Sequence, residues 1–196
     1  MTPVTDLERM DIAKKEKLRS LILERALMQG DFTLASGKKS TFYIDGKRVM
    51  FHPKGLLLIA DAFLDAIGDC HADAVGGLEM GAIPIAAAIS LRSAQVGRPI
   101  PAFFVRKAPK GHGTNRFIEG CLDAGDKVVV CDDVITTGES VLKAIERITE
   151  FGCEVVRIIS LVDREEGAAE ALSSKGYVYR PVFTLKELTS DNAQNH

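Results

Sequence analysis

The sequence carries no excess of either charge. Lysine and arginine number 25 against 27 acidic residues, a net charge of −2. That balance excludes a global positive field for bulk nucleic-acid binding and an acidic solvating tail. Long hydrophobic runs are also missing. The candidates Leu56–Ala60 and Ala82–Ile89 are core-sized, far short of the roughly 18 apolar residues of a membrane helix. No apolar stretch follows Asp6 and Glu8, so no secretory signal is expected. The four cysteines, Cys70, Cys121, Cys131 and Cys153, form no C-x-x-C. A chain of this size does not need disulfides, and Cys131, inside an apolar run, reads as a buried free thiol. His52, His71 and His196 have no motif around them, and no zinc set is present. There are no repeats and no low-complexity segment. These absences predict a reduced, cytoplasmic protein with no membrane and no nucleic-acid partner.

What is present is a core. Hydrophobic residues make up 46% of the chain and charged residues 27%, with mean hydropathy +0.06. A folded chain of this length buries about 70% of its unfolded surface. Thr5-x-x-Glu8 has capping-box form, and Leu18, Leu21, Ile22 and Ala26 follow at helical spacing. That helix or helix pair is expected to end near Gly30. Phe32–Ala35 and Thr41–Asp45 read as two short strands around Ser36-Gly37. A helix from Pro53 to about Gly68, a strand at Ala74–Gly76 and a helix from about Ala82 to Ala94 come next. Ala102–Val105 reads as a strand, and Arg106–Gly120 as a long polar stretch without a period. Lys127–Cys131 is an apolar, β-branched strand. The helix after it carries Val141, Leu142, Ile145 and Ile148 and stops at Gly152. Glu154–Val162, Glu165–Ser174 and Tyr177–Leu185 complete the pattern as strand, helix and strand, ahead of a polar end at Ser190–His196. Alternating helices and continuously apolar strands predict an α/β fold: a central, mostly parallel sheet covered by helices on both faces. Residues 1–196 read as a single domain, with about 1–50 forming a small helix and hairpin hood on the core.

The segment Val128-Val-Val-Cys-Asp-Asp-Val-Ile-Thr-Thr-Gly-Glu-Ser140 is the most informative. A buried strand ends in two adjacent carboxylates, Asp132 and Asp133. Val134 and Ile135 lead to Thr136, Thr137 and Gly138, and Glu139 and Ser140 open a helix. Ligands of parallel α/β sheets bind beyond the carboxyl ends of the strands. A helix start offers free N–H groups and a positive dipole end to a phosphate. The acids sit where they can accept hydrogen bonds from vicinal sugar hydroxyls. A ligand with phosphate at one end and ribose at the other fits. The bland reading is a polar loop with Asp and Thr as caps, but the full string is more specific than that. Neither G-x-x-x-x-G-K-[ST] nor G-x-G-x-x-G after a strand occurs.

Three other segments stand out. Arg106, Lys107, Lys110, His112 and Arg116 cluster with no acid between Val105 and Glu119, and glycines flank His112. Such a loop can close over a polyanion, although basic loops are commonly just solvated. Ser36-Gly-Lys-Lys-Ser-Thr-Phe-Tyr-Ile-Asp45, read alone, is a hairpin with a basic turn. Ser160-Leu-Val-Asp-Arg164 ends a strand in an arginine. Arginine can grip a carboxylate bidentately, or it can simply pair with Glu165 or Glu166.

The first string resembles the phosphoribosyl-pyrophosphate (PRPP) signature of the type I phosphoribosyltransferases. The R-K-x-x-K-x-H-G loop, the S-G-x-x-S-x-x-Y/F-x-D/N stretch and S-L-x-D-R resemble the orotate phosphoribosyltransferases in particular. The likeness runs from about Gly30 to Leu188 and implies a Rossmann-like fold. It implies transfer of the phosphoribosyl group of PRPP to orotate in pyrimidine biosynthesis. It gives Arg106, Lys107, Lys110, His112, Asp132, Asp133, Val134, Ile135, Thr136, Thr137, Gly138, Glu139 and Ser140 to PRPP. Lys110, His112, Asp132 and Asp133 carry catalysis on this reading. Thr136, Arg164, Tyr43 and Ile44 go to orotate. Mg²⁺ is implied as the cofactor, held mainly through PRPP with Asp132 and Asp133, and so is a homodimer with shared active sites. The chain departs from the family at Ala35 and Gly81, where lysines are frequent; Lys47 and Arg48 are candidate substitutes. Glu79 and Met80 receive no role. The alternatives are transfer to another nucleobase and a non-catalytic PRPP-sensing regulator.

Overall fold

The computed structural model describes residues 12–33, 37, 39–109 and 117–190. The chain order begins with helix α1 (Ile12–Arg25), the strands β1 (Leu27–Thr33) and β2 (Lys39–Ile44), and helix α2 (Lys47–Met50). Helix α3 (Pro53–Ile67), strand β3 (Ala74–Gly76), helix α4 (Ala82–Gln95), and strands β4 (Phe103–Val105) and β5 (Ile118–Gly120) follow. The second half comprises β6 (Lys127–Ile135), α5 (Glu139–Glu150), β7 (Glu154–Asp163), α6 (Ala168–Ser173), β8 (Tyr179–Thr184) and α7 (Leu185–Thr189).

Strands β3, β6, β7 and β8 form one parallel sheet in that order. Its strands are apolar throughout because both faces are covered. Val129, Cys131, Ile159 and Leu161 face a core with Ile59 and Phe63 of α3 and Ile85 and Ile89 of α4. Their strand neighbours Val128, Val130 and Ile158 face Val141, Ala144, Ile145 and Ile148 of α5, together with Ala168 and Leu172 of α6. The α5 residues follow helical spacing, so one turn after another delivers its apolar side to the sheet. Gly138, at φ 84°, makes the left-handed turn that lets α5 start directly from the strand end.

Strand β4 continues the sheet on the far side of β3 through the bridges Val75↔Ala102 and Leu78↔Val105. The chain thus leaves β3 toward one edge and returns on its other side as β6. Strand order reverses between β3 and β6, the place where open α/β sheets bind ligands. The antiparallel β1–β2 hairpin and α1 lie against this core. Leu18, Ile22, Ala26 and Ile44 are buried in the same cluster as Phe63. Among the described residues no helix is long and apolar enough to cross a membrane.

Several boundaries differ from the sequence reading. Helix α1 ends at Arg25 and Gly30 lies inside β1, because Leu27 through Gln29 find pairing partners on β2. Strand β6 does not stop at Cys131. Asp132, Val134 and Ile135 keep their places in the β7 register. Ile118–Gly120 is a strand, paired with β4. Helix α6 begins at Ala168 rather than Glu165, and Leu185 opens α7, which is held by a Thr184/Glu187 capping box. Thr5, Glu8 and residues 191–196 lie outside the described residues, and Ser190 is among them.

Candidate active site

The acid pair sits at the reversal point. Asp132 Oδ1 accepts a hydrogen bond from the Asp133 N–H at 2.9 Å. Burial and the adjacent Asp133 carboxylate push Asp132 well above the usual carboxylate range, and the positive charge of Lys107 works against that rise. Two close carboxylates make a site that favours cations and hydroxyl donors.

Two glycines back onto these acids. A Cβ on Gly81, at the start of α4, would stand against Asp132 Oδ1 and 2.5 Å from Asp133 Oδ1. A Cβ on Gly46, just before α2, would lie 2.9 Å from Asp133 Oδ2. The missing lysine at position 81 therefore has a structural counterpart: a side chain there would displace the carboxylates. Lys47 and Arg48 follow Gly46 directly and are exposed, with Lys47 Nζ 3.7 Å from Asp45 Oδ1.

Beyond the pair, Thr136, Thr137 and Gly138 form the bend into α5, and Glu139 and Ser140 are exposed in its first turn. Val134 is half-buried and Ile135 buried at the strand end. No side chain caps the α5 N-terminus, which leaves its first N–H groups for a ligand or water.

The basic segment connects β4 to β5 along the chain. Its two roots are joined by the Arg106 N–H, which donates to Phe117 O at 2.7 Å. Arg106 Nε donates to Ala108 O at 3.2 Å. Lys107 N–H donates to Glu79 Oε1 at 2.9 Å, and the Lys107 charge reaches Asp132. Lys110, His112 and Arg116 lie outside the described residues, as do Ala35 and Ser36.

Arg164 follows the end of β7 and is 6% exposed. Its Nη2 donates to Ser40 Oγ at 3.2 Å and to Phe42 O at 3.3 Å. Its Nε lies 3.0 Å from Glu166 Oε1, an ion pair rather than an aligned hydrogen bond. The pairing with Glu166 considered from sequence thus exists, and the same guanidinium also ties the core to the hairpin. Tyr43 is exposed beside Phe32, with ring centroids 5.5 Å apart. Ile44 is 6% exposed and turns into the core instead. A cleft of about 400 Å³ lies on the hairpin, lined by Asp31, Phe32, Lys39, Ser40 and Thr41. A larger groove of about 710 Å³ runs along α5 and includes neither acid.

Sequence reasoning gave Glu79 no role and did not single out Tyr179. Glu79 meets Val105 and Lys107 only because the chain after β3 runs beside the end of β4, and Tyr179 reaches β7 only through strand pairing. Neither position carries a sequence signal of its own.

Residues 46–180 match the model of the phosphoribosyl transferase domain. The chain is 46% identical over 175 residues to an orotate phosphoribosyltransferase of Nostoc sp., covering 89% of this chain and 84% of that protein. It is 44% identical over 182 residues to the orotate phosphoribosyltransferase of Aquifex aeolicus, covering 91% of this chain and 100% of that one. The crystal structure of the Mycobacterium tuberculosis orotate phosphoribosyltransferase in complex with PRPP superposes with a TM-score of 0.76 at 36% identity. That alignment covers 89% of this chain and 98% of the mycobacterial one.

Proposed function

From the membership of this chain in the orotate phosphoribosyltransferase family, we propose how its own residues divide the work. The enzyme transfers the 5-phosphoribosyl group of PRPP to orotate, giving orotidine 5′-monophosphate and pyrophosphate in pyrimidine biosynthesis. A ring nitrogen of orotate bonds to the anomeric carbon as the bond from that carbon to the pyrophosphate oxygen breaks. Charge builds on the ribose and on the leaving group, so positioning and electrostatics carry the catalysis.

The observation that supports this division best is the acid pair at the sheet's reversal point, which Gly81 and Gly46 back onto. Asp132 and Asp133 hold the ribose hydroxyls. The bend from Val134 through Thr137, with Gly138, Glu139 and Ser140, receives the 5-phosphate at the start of α5. Arg106, Lys107, Lys110 and His112 hold the pyrophosphate, with Lys110 and His112 stabilising it as it leaves. Thr136, Arg164, Tyr43 and Ile44 are assigned to orotate. For Ile44 only the backbone is available, since its side chain is buried.

Among the described residues no group of three or more His, Cys, Asp or Glu gathers to hold a metal. Two carboxylates alone suit Mg²⁺ provided that substrate oxygens and waters complete its shell. When bound, that ion would neutralise pyrophosphate charge. We assign the enzyme to the cytoplasm and to a homodimer with shared sites, residues to about 50 forming a hood within one domain.

A base panel tests this reading. Protein, PRPP and Mg²⁺ are mixed with orotate, uracil, adenine or hypoxanthine, and pyrophosphate is followed. Release with orotate alone is expected. Release only with another base would overturn the orotate assignment, and PRPP binding without release would favour a regulator.

A further inference from the structure

The turn after β7 is held by a buried polar chain that the reaction itself does not use. Ser160 is fully buried, and its Oγ lies 2.7 Å from Tyr179 Oη. The Tyr179 hydroxyl also interacts electrostatically with the carboxylate of Asp163, which is 4% exposed. Asp163 Oδ1 accepts the N–H of Glu165 at 2.8 Å. Glu165 has φ 58°, and no other non-glycine residue among those described has a positive φ. A side chain in that region is strained and persists only where its surroundings impose it. The Glu165 carboxylate is also engaged, its Oε2 accepting the Lys186 N–H at 2.8 Å.

Arg164 lies between Asp163 and Glu165, so whatever fixes this turn aims its guanidinium. We propose that Asp163 is a positioning residue for orotate binding: by holding the Glu165 N–H, it fixes the turn that points Arg164 at the hairpin. The chain is anchored beside the ribose site, because Ser160 is the register partner of Asp132 on β6. Strand β7 thus sets the spacing between the acid pair and Arg164. The proposal rests on the assignment of Arg164 to orotate made above.

Steady-state kinetics on Asp163→Ala, Asp163→Asn, Tyr179→Phe and Arg164→Ala test it. Asp163→Ala is expected to raise the KM for orotate about tenfold, the scale of one lost hydrogen bond to a charged group, with little change in the KM for PRPP. Asp163→Asn keeps the acceptor for Glu165 and is expected to recover most of that loss. Tyr179→Phe is expected to show a smaller rise for orotate alone. Where Asp163→Ala fails to fold, Tyr179→Phe decides on the same readout. An orotate KM unmoved by these variants, or equal rises for both substrates, overturns the proposal. An orotate KM unmoved in Arg164→Ala overturns instead the assignment of Arg164.

Discussion

Lys107 hangs from Glu79: its backbone N–H donates to Glu79 Oε1 at 2.9 Å, while the Glu79 N–H donates to Val105 O at 2.8 Å. Glu79, three residues before α4, thus holds the β4 root of the basic segment through both Val105 and Lys107. Replacing Glu79 by alanine frees Lys107, and the KM for PRPP is expected to rise several-fold while that for orotate stays put. Glu79→Gln preserves an acceptor and should restore the parent value. Kinetics with each substrate varied in turn checks this.

Asp132 is predicted to cost stability at neutral pH. Its folded-state pKa lies above the ordinary 3.8 because of burial and the Asp133 charge. The folded form therefore binds a proton that the unfolded form has already released. Stability falls as pH rises from near that ordinary value through the folded-state pKa, and stays reduced above it. Asp132→Asn removes the cost. Its Tm should exceed the parent's at pH 7, by about 2–4 °C for each kcal/mol relieved. The gap should close as the pH falls toward 4, and melting curves across that range read it directly.

Position 81 is predicted to tolerate no side chain without loss of PRPP affinity. A Cβ there would push on both carboxylates, and small shifts of positioning groups carry large kinetic costs. Gly81→Ala is expected to raise the KM for PRPP at least several-fold. Gly81→Lys, which restores the charge common in the family, should be no better than alanine.

The cation missing at position 81 should instead come from α2. Lys47 and Arg48 follow Gly46, the glycine packed against Asp133. The double alanine variant is expected to raise the KM for PRPP and to flatten its dependence on ionic strength, since exposed charges act over about 8–10 Å. An unchanged KM would remove these residues from the site.

A shared site predicts complementation. Lys110→Ala and Asp133→Ala, each inactive alone, should regain activity when mixed and allowed to exchange subunits. No recovery would argue for sites built within one protomer.

Much of this protein was legible in the sequence because its signals are local. The continuous apolar run from Val128 to Cys131 marked a strand buried on both faces, and Val141, Ile145 and Ile148 marked the helix face that covers one of them. The order acid, acid, threonine, threonine, glycine sits on one strand and one turn, so spacing alone kept it together. The same holds for the segment from Ser160 to Arg164, which runs along β7 and one residue past its end.

What needed the tertiary structure is what separate strands bring into contact. Ile44 read as a site residue, yet its side chain is drawn into the core by the packing of the hairpin on α1. Gly81 and Gly46 lie far from Asp133 along the chain, and only the approach of two helix starts shows why neither position holds a side chain. Tyr179 meets Ser160 because parallel pairing sets β8 beside β7. Local spacing fixes which residues share a strand or a helix face. Which polar groups share a buried volume is set by packing, and desolvation there decides which carboxylate shifts and which arginine is held in place.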